Sequence, residues 1–170
     1  MYTFNDLALE KGEVYMLEII ILLSSWIIGI LLFYFLVPVS KFRLAILGFL
    51  IMQTITWPLG FLISEFNLIS YPVRLFDDAA RTSFTFEYFA FPIVSAMYNL
   101  YYPRKSKLVG FLFTSVIVSL LTGTEVILER YTDNIEYINW RWYWSWISMF
   151  ITLYISLGIW KWFIEKRDDK

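Results

Sequence analysis

The sequence predicts an all-α membrane protein, one polytopic helical bundle that crosses the bilayer about five times. Three observations carry that prediction: an excess of apolar residues, five apolar runs of spanning length, and an uneven placement of Lys and Arg. Hydrophobic residues make up 59% of the 170, aromatic residues 21%, and the mean hydropathy is +0.60. A soluble domain holds ~45–50% apolar residues, glycine included. Folded in water, this chain would present apolar patches that soluble monomers avoid, so lipid is its natural solvent.

A spanning helix needs ~20 mostly apolar residues, because the hydrocarbon core is ~30 Å thick and a helix rises ~1.5 Å per residue. Runs at 17–37, 44–64, 84–102, 108–128 and 144–163 meet that length, in a single transmembrane domain covering 1–170. Charged or Pro-bearing segments separate them. In lipid, helices satisfy every backbone group of such runs. The start of the chain carries Asp6, Glu10 and Glu13 against Lys11, unlike the basic start of a cleaved signal peptide, so no cleaved segment is expected.

Basic residues are retained on the cytoplasmic side. With the N-terminus outside, the inner segments hold Lys41, Arg43, Arg104, Lys105, Lys107, Lys161, Lys166, Arg167 and Lys170. The outer segments hold only Lys11, Arg74, Arg81, Arg130 and Arg141. A cell-membrane protein with its N-terminus outside and its C-terminus cytoplasmic is expected.

The chain has neither Cys nor His. Disulfides, thiolate chemistry and imidazole-based triads are therefore excluded, and most zinc sites with them. No phosphate loop, metal-ligand spacing or nucleophile–base pair appears; no cofactor, metal, nucleic-acid partner or catalytic residue is expected.

The polar residues inside or beside the runs are the candidates for function. Glu18, Glu65, Glu87 and Glu125 all fall near the outer boundary. Glu18 and Glu65 are expected to meet water and head groups. Glu87 and Glu125 lie deeper, where an ionisable group is costly and faces the bundle interior. They are expected to share a polar pocket that opens outward, either pairing with Arg81, Arg130 and Arg141, whose guanidinium groups can clasp a carboxylate, or holding a cation. The segment Tyr71–Arg81 is read as a short interfacial helix.

Aromatic residues mark the interfaces. Trp140, Trp142, Trp144 and Trp146 stand where the fifth run begins, and Trp160 and Trp162 where it ends. Their alternate spacing spreads them around a helix, which fits an interfacial belt. Small residues predict close helix packing at Ser115, Ser119 and Gly123, and at Ser25 and Gly29. Gln53, Thr54, Thr56 and Pro58 make one polar, kinked stretch, and Pro92, Ser95 and Asn99 another.

Phe91–Lys105 (FPIVSAMYNLYYPRK), the following helix with its late Glu125, and Tyr137–Phe150 (YINWRWYWSWISMF) resemble an uncharacterised family of small multi-pass membrane proteins. That family comes from spore-forming bacteria of the Bacillus and Clostridium type. The resemblance covers about the C-terminal half and implies a bacterial membrane protein. The family has Gly beside the tryptophan of the last motif, where this chain has Asn139 and Trp140.

Three functions are compatible with this reading. The first is a non-enzymatic membrane component that binds a protein partner, a second copy or lipid. The second is a small proton- or cation-coupled carrier or channel subunit using Glu87 and Glu125. The third, a lipid-modifying enzyme with carboxylate acid/base chemistry, lacks a second group committed to a reaction.

Overall fold

The computed structural model describes the backbone of residues 4–168 and the side chains of residues 15–164. The basic tail at Lys166, Arg167 and Lys170 and the acidic start, whose side chains are Asp6, Glu10 and Glu13, lie outside the described side chains. The chain folds as five α-helices: α1 (Phe4–Leu36), α2 (Phe42–Glu65), α3 (Phe91–Tyr101), α4 (Lys107–Tyr131) and α5 (Trp142–Asp168). Among the described residues, α1, α2, α4 and α5 provide four helices long and apolar enough to cross a membrane.

The breaks between helices follow from local chemistry. Pro38 and Pro103 each stop a helix, since proline has no N–H for the ladder. Ser106 then opens α4 by accepting the Val109 N–H on its hydroxyl, at 3.5 Å, a standard N-cap.

The third apolar run does not form one regular α-helix. Phe84–Ala90 winds as a π-helix and continues into α3. Pro92 accounts for the widened turn. Its missing N–H would have served the carbonyl of Tyr88 in an α register or that of Glu87 in a π register. Helix α2 supplies both absent donors: Gln53 Nε2 donates to the Tyr88 carbonyl at 2.9 Å, and Thr56 Oγ1 lies 2.6 Å from the Glu87 carbonyl. The polar stretch of α2 thus closes the backbone of its neighbour, as an apolar solvent requires.

Helix α3 packs against α2 and α5, α4 packs against α5, and α1 lies at the side against the π segment and α3. The main core joins Met52, Phe91, Tyr98, Val118, Met149, Leu153 and Leu157. Two short turns connect helices at one end of the bundle. At the other, the longer segments 66–83 and 132–141 are tied together by an antiparallel pair, β1 (Ile69–Ser70) and β2 (Glu136–Tyr137), with Ile69 opposite Tyr137 and Ser70 opposite Glu136.

Several expectations need correction. Tyr71–Arg81 is a turn-rich loop rather than an interfacial helix. It folds around Arg74, whose guanidinium donates to the carbonyls of Tyr71, Asp77 and Ala80 at 2.7–2.9 Å. The packed stripe of α4 is Gly110, Thr114, Val118, Thr122 and Glu125. Ser119 and Gly123 face outward, and a Cβ added at Gly123 meets nothing within 4 Å. Ser115 is half-buried beside that outward face and bonds back to the Phe111 carbonyl.

Small size permits close approach but does not choose the neighbour, and lipid tolerates an outward small face. Gly29 does pack closely: a Cβ there would come within 2.7 Å of the Phe89 ring. Ser25 is half-buried and bonds back to the Leu22 carbonyl. Trp160 is not a belt residue. It is 2% exposed and donates to the Leu44 carbonyl at 2.8 Å, locking α5 to α2. Trp142, Trp144 and Trp162 are exposed, whereas Trp140 and Trp146 are half-buried.

Candidate functional site

The site is assembled by the long-loop end. Helix α2 contributes Thr56 and Gly60, the π segment Glu87, α4 Glu125, and α5 Ser145 and Thr152. The β1–β2 pair fixes where the two loops meet and brings a tyrosine to each carboxylate. Tyr71, next after β1, shares a cavity wall with Glu87. Tyr137, in β2, donates its phenol proton to Glu125 Oε1 at 2.5 Å.

Glu87 and Glu125, 8% and 4% exposed, line one small cavity of about 60 Å³. Tyr71, Trp140, Ser145 and Thr152 complete much of its wall, and no Lys or Arg does. That volume holds a few water molecules, well below the ~300–1,000 Å³ of ordinary ligand pockets. Gly60 makes room for the first carboxylate, since a Cβ there would lie 2.8 Å from Glu87 Cγ and 2.7 Å from Thr82 Oγ1. A larger residue at position 60 would push Glu87 off its place.

Glu125 is held by two hydroxyls on one oxygen. Besides Tyr137, Ser145 Oγ donates to Oε1 at 2.6 Å. The Trp140 indole N–H donates in turn to Ser145 Oγ at 2.8 Å, so a chain of hydrogen bonds runs from the loop to the carboxylate. Burial pushes the Tyr71 and Tyr137 phenols well up from their ordinary value, and the neighbouring carboxylates add to it. Both therefore stay protonated donors at neutral pH.

Trp140 also lines a larger open groove of about 580 Å³, together with Glu129, Tyr137, Arg141, Tyr143 and Trp144. The indole belongs to the walls of both spaces.

The expected arginine partners do not reach the carboxylate pair. Arg81 pairs with exposed Glu65 at 3.7 Å. Arg130 is exposed on the surface, and Arg141 is exposed on the open groove. A guanidinium stays hydrated there at little cost, whereas the cavity offers it no volume.

Glu18 also departs from expectation. It is 2% exposed and accepts the Asp133 N–H at 2.5 Å, so it anchors the α4–α5 loop to α1. Sequence reasoning missed Tyr71, Tyr137 and Ser145. The one available signal was that each tyrosine lies in a loop flanking an acidic run, too little to pair them with a particular Glu.

The fold and site define a helical membrane protein with two carboxylates enclosed together near one end of the bundle. Compared with known proteins, the chain matches no family model, no curated protein and no solved structure.

Proposed function

We propose that this protein is a small proton-coupled carrier of a bacterial cell membrane, with Glu87 and Glu125 as its proton site. The observation that carries the reading is the enclosure of both carboxylates in one cavity without a basic residue. Two like charges so placed repel, and burial removes the water that would screen them. One shared proton relieves both penalties. A metal ion suits the site less well, because Ca²⁺ takes ~6–8 oxygen ligands and no three acidic side chains are placed together to hold a metal ion among the described residues.

A carrier fits better than an open channel. Met149 and Thr152 floor the cavity, and Leu153 and Leu157 fill the core beyond it. Trp140 lines it on the groove side. Proton access from the short-turn end therefore requires motion. With Lys and Arg concentrated at the short-turn end, the site lies toward the outside.

Proteoliposomes containing an interior pH dye, challenged with an imposed membrane potential or pH gradient, test this function. Wild-type protein is expected to carry protons, with Glu87→Gln and Glu125→Gln each lowering the rate at least tenfold. Equal rates for wild type and both variants, or no flux above empty vesicles, would overturn the proposal.

A second reading rests on the outward face of α4. Ser119 and Gly123 border an open groove of about 410 Å³ with Trp142 and Trp146. A helix of a partner or of a second copy fits such a small-residue face. In that case Ser119→Leu or Gly123→Leu abolishes function and both Glu→Gln variants retain it.

A further inference from the structure

A second cavity of about 180 Å³ lies between α1 and α4, away from the groove that Trp140 lines. Ile21 and Leu22 of α1 face Leu121 and Leu128 of α4 across it, and Phe86 closes the back. It meets the carboxylate site from the other side, because Tyr71, Phe86 and Glu125 belong to the walls of both cavities.

The polar groups of this cleft are selective in what they leave open. Ser25 and Thr124 donate to backbone carbonyls in their own helices. Ser83 accepts the Phe86 N–H, and Thr85 accepts the Trp26 indole N–H. Asn134 differs. It is 5% exposed, and its amide nitrogen donates to the carbonyls of Val73 and Glu18, which fixes which end is oxygen. Its Oδ1 has no partner. A buried acceptor without a donor costs about 1–3 kcal/mol, so Asn134, in the wall of the cleft, carries an unmet demand for a hydrogen-bond donor.

We propose that this cleft binds the head of a lipophilic ammonium compound, with Asn134 Oδ1 and the Glu125 carboxylate as its acceptors and the apolar walls around its first methylenes. No Lys or Arg lines the cleft, so an anionic head finds no positive charge there and lies against the Glu125 carboxylate. A neutral hydroxyl satisfies Asn134 but leaves the carboxylate charge unmatched. The volume encloses the head and the start of a chain, and the rest of the chain stays among lipid tails. The inference deepens the carrier reading, on which it rests for Glu125 as an exchangeable site, and names the class of compound exchanged against the proton.

Binding of radiolabelled dodecylammonium, dodecanol and dodecanoate to protein in nanodiscs, against empty nanodiscs, tests the inference. Saturable binding of dodecylammonium alone is expected, weakened about tenfold by Ala90→Leu, which fills the cleft and leaves both carboxylates in place. Asn134→Leu is expected to weaken it too, and a melting curve on each variant separates a misfolded chain from a filled site. Equal binding of dodecanol, or indifference to Ala90→Leu in a folded variant, overturns the inference.

Proton flux through Ala90→Leu without added amine separates the two claims. Retained flux with lost amine binding supports both the site and the carrier. Absent wild-type flux with cleft-dependent amine binding overturns the carrier alone.

Discussion

The two ends of the bundle handle buried polar groups in opposite ways. At the short-turn end hydroxyls and amides of different helices bond one another, although Asn99 Oδ1 has no partner. Tyr98 bonds Thr114 at 2.8 Å, Ser95 bonds Ser156 at 2.9 Å, and Asn99 Nδ2 donates to Ser156 at 3.1 Å. Glycines let these contacts close: a Cβ at Gly48 would lie 2.9 Å from Asn99 Nδ2 and 3.3 Å from the Ala96 backbone. At the long-loop end the polar groups are acidic, no base offsets Glu87 and Glu125, and cavities adjoin them. The comparison teaches that one end is built for cohesion and the other holds charge in a place where charge is unfavourable, as functional sites do.

The largest expected effect tests the cohesive end. Gly48→Leu forces a side chain into the Ala96 backbone and is expected to cost about 1–3 kcal/mol, as overpacking does, or to prevent folding. Gly123→Leu, with open space around it, is expected to leave the melting temperature in detergent unchanged. Equal losses in both would mean that the outward face of α4 is part of the fold.

The next effect separates the ends by sign. Ser156→Ala removes a hydroxyl bonded to two partners and is expected to cost about 0.6–1.5 kcal/mol. Glu125→Gln keeps an oxygen to accept from Tyr137 and Ser145 and removes a buried ionisable group, and is expected to leave thermal stability unchanged or raised while flux is lost. A fall in stability as large as that of Ser156→Ala would make Glu125 structural.

Access gives a third contrast. Trp140→Ala removes the indole from both walls and one donor to Ser145. A water-soluble carbodiimide, read by peptide mass spectrometry, is expected to label Glu125 several-fold faster in that variant. Unchanged labelling would place the route to Glu125 elsewhere, the α1–α4 cleft being the alternative.

The smallest effect is alkaline. The Tyr71 and Tyr137 phenols are raised in the folded state by burial and then by carboxylate charge. Their contribution is complete below the ordinary tyrosine value of ~10 and is lost as pH rises beyond it toward the folded values. Melting temperature should fall as pH rises above about 10, less steeply in Tyr71→Phe and Tyr137→Phe. Parallel falls in all three proteins would contradict the coupling.

Much of the bundle was legible because lipid leaves the backbone few choices: apolar runs of spanning length form helices. The third run shows the limit. Pro92 predicts a disturbance, but the π register depends on Gln53 and Thr56 arriving from another helix. On α4, two neighbouring stripes of small residues share the same four-residue spacing, and nothing local says which one meets α5. Glu87 and Glu125 stood out by cost, yet their convergence depends on a β pairing between loops far apart in sequence. Tyr71 and Tyr137 were invisible for the same reason.

The central claim is that Glu87 and Glu125 hold one proton between them. Infrared difference spectroscopy of the protein in nanodiscs, titrated near neutral pH, reads the protonated carboxyl band directly. The account predicts one such band per chain, abolished or shifted by either Glu87→Gln or Glu125→Gln and unmoved by Glu18→Gln. A spectrum with no protonated carboxyl at neutral pH, or a band that survives both Gln variants unchanged, would contradict it.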